Sequence, residues 1–261
     1  MIKKRCYVSS SMSTNMLLSE FWPIMIISAR MIGLFSWMPG FGDLHIPFRM
    51  RMMIAIGVAT AFSTTLPIPL YPKHASYMAE LLIVEYIIGT FLGFSLKIFL
   101  SALETAGTIM SQSVGLSNAL VPNLLDHEQT SILTNFFTLA GITFIFVFDL
   151  HHLILWGGYN SYTLVPIGVL PLFQDNAFLM THTVNDAFMH ALTFAMPFFI
   201  FGNVVYLGMG ILNKLIPQIQ VFFLSFPIQI LVGLIVLMFS VRFILNSFLE
   251  YFSLSWSKII G

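Results

Sequence analysis

The sequence predicts an all-α, polytopic integral membrane protein, and three observations carry that reading. Only 8% of the residues are charged and 57% are hydrophobic, with a mean hydropathy of +0.89, against about 25% charged in an ordinary soluble domain. The apolar residues gather in six long runs instead of alternating. Those runs are too long and too unbroken for barrel strands, and backbone groups in lipid must be satisfied within their own segment, which favours helices.

A spanning helix needs about 20 mostly apolar residues. The first run, Met16 to Met38, is apolar apart from Glu20 and Arg30. The second, Met52 to Leu70, carries no charge, and the third, Met78 to Ser101, holds Glu80, Glu85 and Lys97. Gln129 to Phe148, Ala187 to Asn213 and Leu215 to Val241 are free of charge. Turn chemistry separates the runs: Pro39-Gly40-Phe41-Gly42-Asp43, then Pro67, Pro69 and Pro72, then Pro122-Asn123. Gly157-Gly158, Pro166 and Pro171 follow, and Pro217-Gln218 divides the last two runs. Fixed φ, a missing donor and access to positive φ are the physical basis of these breaks. Many of the runs are expected to pack as helical hairpins.

No long linker or low-complexity stretch divides the chain. Residues 1–15 read as a polar N-terminal tail and residues 16–261 as a single membrane domain. Lys3, Lys4 and Arg5 imitate the start of a secretory signal, but the next ten residues are polar and no small-x-small site follows. Met12 and Met16 stand just before the first run and offer alternative starts. The segment 149–186 contains Asp149, Asp175 and Asp186 but no Lys or Arg, whereas Lys214 follows the next span. Cytoplasmic loops favour Lys and Arg, which places 149–186 outside and Lys214 inside.

Net charge is zero, with no basic or acidic excess to neutralise phosphates, so nucleic acid is not an expected partner. A single cysteine, Cys6, excludes an intrachain disulfide and a Cys-based zinc site. Asp149-Leu150-His151-His152 offers metal-ligand types, but no second His/Asp/Glu cluster stands at ligand spacing, so no metal site is read from it. Gly-x-Ser-x-Gly, phosphate-loop and His-Glu-x-x-His motifs are missing, and no cofactor or enzymatic activity is expected.

Polar residues within the runs are the informative ones, because an intramembrane charge faces protein or water. Glu85, Gly89, Gly93 and Lys97 recur every four residues and form a slowly drifting stripe. Gly89-x-x-x-Gly93 allows a second helix close approach, either within the chain or from another subunit. Arg30 needs a partner, for which Glu85 and Glu104 are candidates. Ser101, Thr105, Thr108, Gln112 and Gly115 share one helix face, widened by Gly107 and Ser111. So polar a face suits a protein assembly or a wet path better than lipid.

Taken in order, these elements resemble the FliR family, which includes the T-type subunit of injectisomes. Arg30-x-x-Gly33, Pro39 and Ile46-Pro47-x-x-x-Arg51-x-x-x-Ala55 look like its opening, followed by Glu85-x-x-x-Gly89-x-x-x-Gly93. Ala106-Gly107, Gln112-x-x-Gly115, Ala119, His151-His152, Ser161 and Pro166-x-Gly168 continue the set. Pro197, then Gly210-x-x-x-Lys214-x-x-Pro217-Gln218-x-Gln220-Val221-Phe222, then Pro227 and Gly233 complete it. The match runs from about residue 16 to the C-terminus. It departs from the family pattern at Leu150, where Gly is usual, at Lys214, where Arg is usual, and at Gln220, where Asn is usual.

The resemblance implies a core subunit of a type III protein export gate in the bacterial inner membrane, and the overall match leans to the flagellar basal body over the injectisome. It implies assembly with P-type, Q-type and B-type subunits (FliP-, FliQ- and FlhB-like), within the basal-body ring, around a path for unfolded protein substrates. It also implies that the loop after the polar-faced helix plugs the pore. Here that loop runs from Gly115 through Leu116, Ser117, Asn118, Ala119, Leu120, Val121 and Pro122 to Asp126, with Pro122 early and Leu124-Leu125 where an acidic-Pro pair is usual. The alternatives are an injectisome T-type subunit and an unrelated secondary transporter or channel. The last predicts broken helices at Pro197 and Pro227 and an internal repeat, which the chain lacks.

Overall fold

The structure is a computed structural model that describes residues 2–42, 46–67, 72, 74–117, 120–122, 129–169, 173–215 and 221–261. At 2–19, 120–122, 129–130, 173–176 and 221–224 only the backbone is described. Each apolar run becomes helical: α1 (Ile2–Trp37), α2 (Phe48–Ser63), α3 (Ala75–Val114), α4 (Ile132–Val147), α6 (Phe173–Leu215) and α7 (Val221–Ile260). A further helix, α5 (Leu150–Leu164), occupies part of the segment read from sequence as a connection. The only strands among the described residues are β1 (Leu120–Pro122) and β2 (Gln129–Ser131), an antiparallel pair that the all-helical reading does not include.

Helix α1 starts at Ile2 and so runs through the polar stretch 2–15. The breaks at Pro39-Gly40 and Pro67 fall outside helices as expected, but Gly157-Gly158 lies inside α5. A glycine pair ends a helix only where nothing else holds it, and here a Cβ on Gly158 would sit 3.2 Å from Met31 Cε, so the bare backbone serves close packing. Pro197 and Pro227, read as possible breaks under the transporter alternative, are internal to α6 and α7. Membrane helices tolerate proline where neighbouring groups satisfy the freed carbonyl.

Among the described residues, three helices are long and apolar enough to cross a membrane alone: α3, α6 from Ala177, and α7 from Ser225. The pair α4–α5, bent by 73° at its break, makes up to a fourth. At 16 residues, α2 falls short of the length a perpendicular crossing needs. The 43 residues of α6 reach about 65 Å, twice the hydrocarbon thickness of about 30 Å.

The chain divides into two interleaved compact units. The first holds residues 1–96 and 155–173 with Ile260; the second holds 97–154 and 174–259 with Gly261. In the first, α1 buries Trp22, Ile26, Ile27, Met31, Leu34 and Phe35, at the three-to-four spacing of one helix face. Helix α2 packs on α1 and buries Ala55 and Ala59. In the second, Phe99 of α3 meets Tyr251 and Phe252 of α7 edge-to-face, with ring centroids 5.7 and 5.8 Å apart. Gly141 of α4 lies against Leu103 and Phe248, so α3, α4 and α7 share one core.

Candidate functional site: a buried ion pair and the anchored base of a loop

Two constellations combine the sequence-predicted polar residues, one in each unit. In the first unit, Arg30 and Glu85 are fully buried. Arg30 Nε donates to Glu85 Oε2 at 2.6 Å, Nη1 to Ser161 Oγ at 3.0 Å and Nη2 to the Val165 carbonyl at 3.0 Å. The guanidinium also lies 3.9 Å from the ring centroid of Tyr162. The backbone N–H of Gly168, at φ +84°, points to Glu85 Oε1 from 3.4 Å. The sequence left Glu85 and Glu104 open as partners of Arg30; the structure brings Glu85. Ser161 and Pro166-x-Gly168 were legible as motif residues, but their role against Arg30 was not.

Glycines bring the two helices that carry this pair together. A Cβ on Gly33 would stand 2.5 Å from the Tyr86 carbonyl oxygen and 2.6 Å from Thr90 N. One on Gly89 would collide with the Arg30 carbonyl, and one on Gly93 would stand 2.5 Å from that of Leu34. The Glu85–Gly93 part of the stripe therefore faces α1. Lys97, the last residue of the stripe, is half-buried in the second unit.

The motif residues around the first turns act locally. Pro39 is buried beside Gly40, whose φ is +80°, and Gly42 N donates to the Met38 carbonyl at 2.7 Å. Pro47 is the N-cap of α2, and its carbonyl accepts from Met50 N at 2.9 Å. Arg51 Nε donates back to the Ile46 carbonyl at 3.0 Å and fastens the same turn. Pro217 and Gln218 lie outside the described residues.

The second constellation is the end of α3 and the chain that leaves it. Leu116 N donates to the Ser111 carbonyl at 2.9 Å and Gly115 N to that of Gln112 at 3.3 Å, with Gly115 at φ +86°. This 6→1 and 5→2 pairing around a left-handed glycine is a Schellman stop. Gly202 and Gly233 receive the last turn of the helix: a Cβ on Gly202 would be 3.0 Å from Ser113 Cβ, and one on Gly233 2.5 Å from Val114 Cγ1. Gln229, buried in α7, donates from Nε2 to the Ser113 carbonyl at 2.8 Å.

The loop that follows is tied at its other end too. Leu120 pairs with Ser131, Val121 with Thr130 and Pro122 with Gln129. Pro122, with no N–H to give, stands at the end of the short ladder, where a strand tolerates it. Ser131 is the N-cap of α4 and accepts from Thr134 N at 3.3 Å. Its hydroxyl also accepts from Ser111 Oγ at 2.7 Å and lies 2.6 Å from Thr134 Oγ1, which is 3.1 Å from Thr108 Oγ1. Gly107 lets Thr134 approach, its Cβ position being 2.7 Å from Thr134 Cα.

Of the expected plug residues, then, Gly115, Leu116 and Ser117 are described in full, Leu120 to Pro122 by their backbone, and Asn118 and Ala119 lie outside the description. The polar face of α3 is divided. Ser111 and Gly107 are spent on α4, Ser101 Oγ donates to the Ile98 carbonyl at 2.7 Å, and Thr105 is half-buried. Thr108 and Gln112 are exposed. Gln112 lines an apolar cleft of about 560 Å³ between α3 and α6, with Asn203 and Tyr206 among its other polar groups. Sequence reasoning missed Ser131, Thr134, Gly202 and Gln229, and it read Gly233 as a motif residue without its contact to the end of α3. Ser131 alone had a local signal, a serine immediately before an apolar helical run.

At the break between α4 and α5, ligand atoms of Asp149, His151 and His152 lie within 4.8 Å of one another, the group among the described residues with the side chains to hold a metal ion.

Long apolar helices with an ion pair buried among them define a multi-pass membrane protein. The family model for "Bacterial export proteins, family 1" matches residues 21–255, and the chain belongs to this family, the FliR family of export-apparatus components. The flagellar biosynthetic protein FliR of Caulobacter vibrioides is 30% identical over 82% of this chain and 86% of its own length. FliR of Escherichia coli is 27% identical over 82% and 80%, and FliR of Aquifex aeolicus 26% identical over 89% and 92%. The protein is a multi-pass inner-membrane component of the flagellar export apparatus.

Proposed function

We propose that this chain is a core subunit of the flagellar type III export gate, assembling with P-type and Q-type subunits into the pore that passes unfolded substrates, with residues 115–126 as its plug. B-type subunits and the basal-body ring are further expected neighbours. The supporting observation is the way the loop is held. The chain is pinned by the Schellman stop at Gly115 and again by the β1–β2 pair. A loop of this kind is positioned by a rigid frame and is apolar at Leu116, Leu120 and Val121. Side chains of that type close a pore by excluding water.

The functional role here is positioning and sealing, with no catalytic step. Deletion of Leu116 to Val121 is expected to make the assembled gate leak ions and small solutes, measured as loss of membrane potential in cells. Unchanged permeability would defeat the plug. Co-expression with P-type and Q-type subunits is expected to recover one complex; recovery of the chain as a lone monomer, with export unaffected by its loss, would defeat the gate.

A further inference from the structure

We propose that Asp149, His151 and His152 form a binding site for a divalent transition metal of the Zn²⁺, Ni²⁺ or Cu²⁺ class at the break between α4 and α5. The sequence alone argues against a metal here, because no second His/Asp/Glu cluster stands at ligand spacing, and three residues within four positions need a sharp turn to converge. The structure supplies that turn. Asp149 has φ +58°, the one non-glycine residue in the left-handed region among those described, and the helices on either side are bent by 73°. Aspartate is one of the few side chains that tolerates this conformation.

The turn gathers two imidazoles and a carboxylate within 4.8 Å. Tetrahedral zinc with bonds of about 2.0–2.2 Å sets neighbouring ligand atoms about 3.3 Å apart. His152 Nδ1 and Asp149 Oδ1 already stand 3.6 Å apart. The two histidine rings lie with centroids 4.1 Å apart, and His151 stacks on Phe146 at 5.3 Å, which fixes its plane. Nδ1 of His151 is buried and has no hydrogen-bond partner among the described residues, so one nitrogen of the ring is unassigned by the protein. Two nitrogens and one oxygen are a donor set suited to these borderline ions and poorly suited to Ca²⁺ or Mg²⁺, which select oxygen. Three protein ligands leave a position for water or for a group from a neighbouring chain.

The location is electrostatically permissive. The positive end of α5 starts at Leu150, and the negative end of α4 stops at Val147, so the two dipole ends oppose each other at the site. Asp149 and His152 are largely exposed, so an ion reaches the site without crossing the core.

The test uses the full chain purified in detergent with no polyhistidine tag, stripped with chelator and titrated with Co²⁺ as a spectroscopic stand-in for Zn²⁺. Saturable one-to-one binding with visible d–d bands, displaced by Zn²⁺, is expected. H151A, H152A and D149N are each expected to weaken binding by more than about tenfold, since even indirect neighbours of a metal change affinity by 10–100-fold. Asn keeps the left-handed backbone in D149N, and H182A, a histidine elsewhere, is expected to change nothing. A measurement free of variants is the Cu²⁺ paramagnetic resonance spectrum of the unaltered chain, which is expected to show coupling to two imidazole nitrogens. The proposal is overturned by absence of saturable binding up to millimolar Co²⁺, by equal binding to H151A/H152A, or by a Cu²⁺ spectrum without imidazole coupling.

Discussion

The two units solve the same problem, polar groups among apolar helices, in opposite ways. The first concentrates its polarity in one ion pair and closes over it: Arg30 and Glu85 are fully buried, and glycines press the backbones of α1 and α3 together around them. The second spreads its polarity over neutral hydroxyls and amides, Ser111, Ser131, Thr134 and Gln229, and leaves its long helices facing outward. In the apolar window of α3, 56% of residues are buried inside the chain, against 22% in those of α6 and α7. Their outer faces carry Phe199, Leu207, Ile211, Met238, Phe239 and Phe243, all more than half exposed. An outward apolar face of this extent belongs against lipid or against other helices. Helices α6 and α7 are therefore built to be completed by their surroundings.

Breaking the ion pair should have the largest effect. Arg30→Met leaves Glu85 buried without its partner and is expected to destabilise the first unit by about 3–5 kcal/mol. The loss would be read as a lowered unfolding temperature in detergent. The double variant R30M/E85L removes both charges and is expected to recover much of that stability; no recovery would mean that the network, more than the charge, holds the unit.

Glycine substitution comes next and separates the units directly. Gly89→Ala places a methyl on the Arg30 carbonyl and is expected to cost at least the 1–3 kcal/mol typical of overpacking. Gly210→Ala, at an exposed position of α6 in the second unit, meets nothing within 4 Å. In the isolated chain it should stabilise the helix by about 0.5–1 kcal/mol. If the outer face of α6 receives another subunit, the same variant should lower export in cells although the chain alone is more stable. Unchanged export would assign that face to lipid.

The smallest expected loss of stability concerns the hydroxyl cluster. Ser131→Ala removes the α4 N-cap and the acceptor of Ser111 and is expected to cost about 1–2 kcal/mol. Because the cluster anchors the loop after α3, faster amide exchange confined to Leu120–Ser131 is the sharper readout. Uniform exchange across the second unit would show that the cluster serves the helix core instead.

Composition and run length were enough to determine the fold class, because lipid imposes one rule on every backbone group. The ordered motifs from Arg30 to Gly233 were enough to place the chain in its family. Local geometry was also legible where a single residue type dictates it, as with Pro39-Gly40 in a turn, Pro47 before a helix and Gly115 after one. Tertiary structure decided what depends on partners far apart in sequence. It chose Glu85 over Glu104 for Arg30, drew in Ser161 and Val165 from more than 130 residues away, and seated the end of α3 on Gly202 and Gly233. It also kept Gly157-Gly158 helical and made α5 from a stretch with ordinary turn residues. The reason is the same in each case. Periodicity and turn chemistry are set by neighbours within a few residues, whereas an ion pair or a backbone contact exists only once two distant segments are packed together.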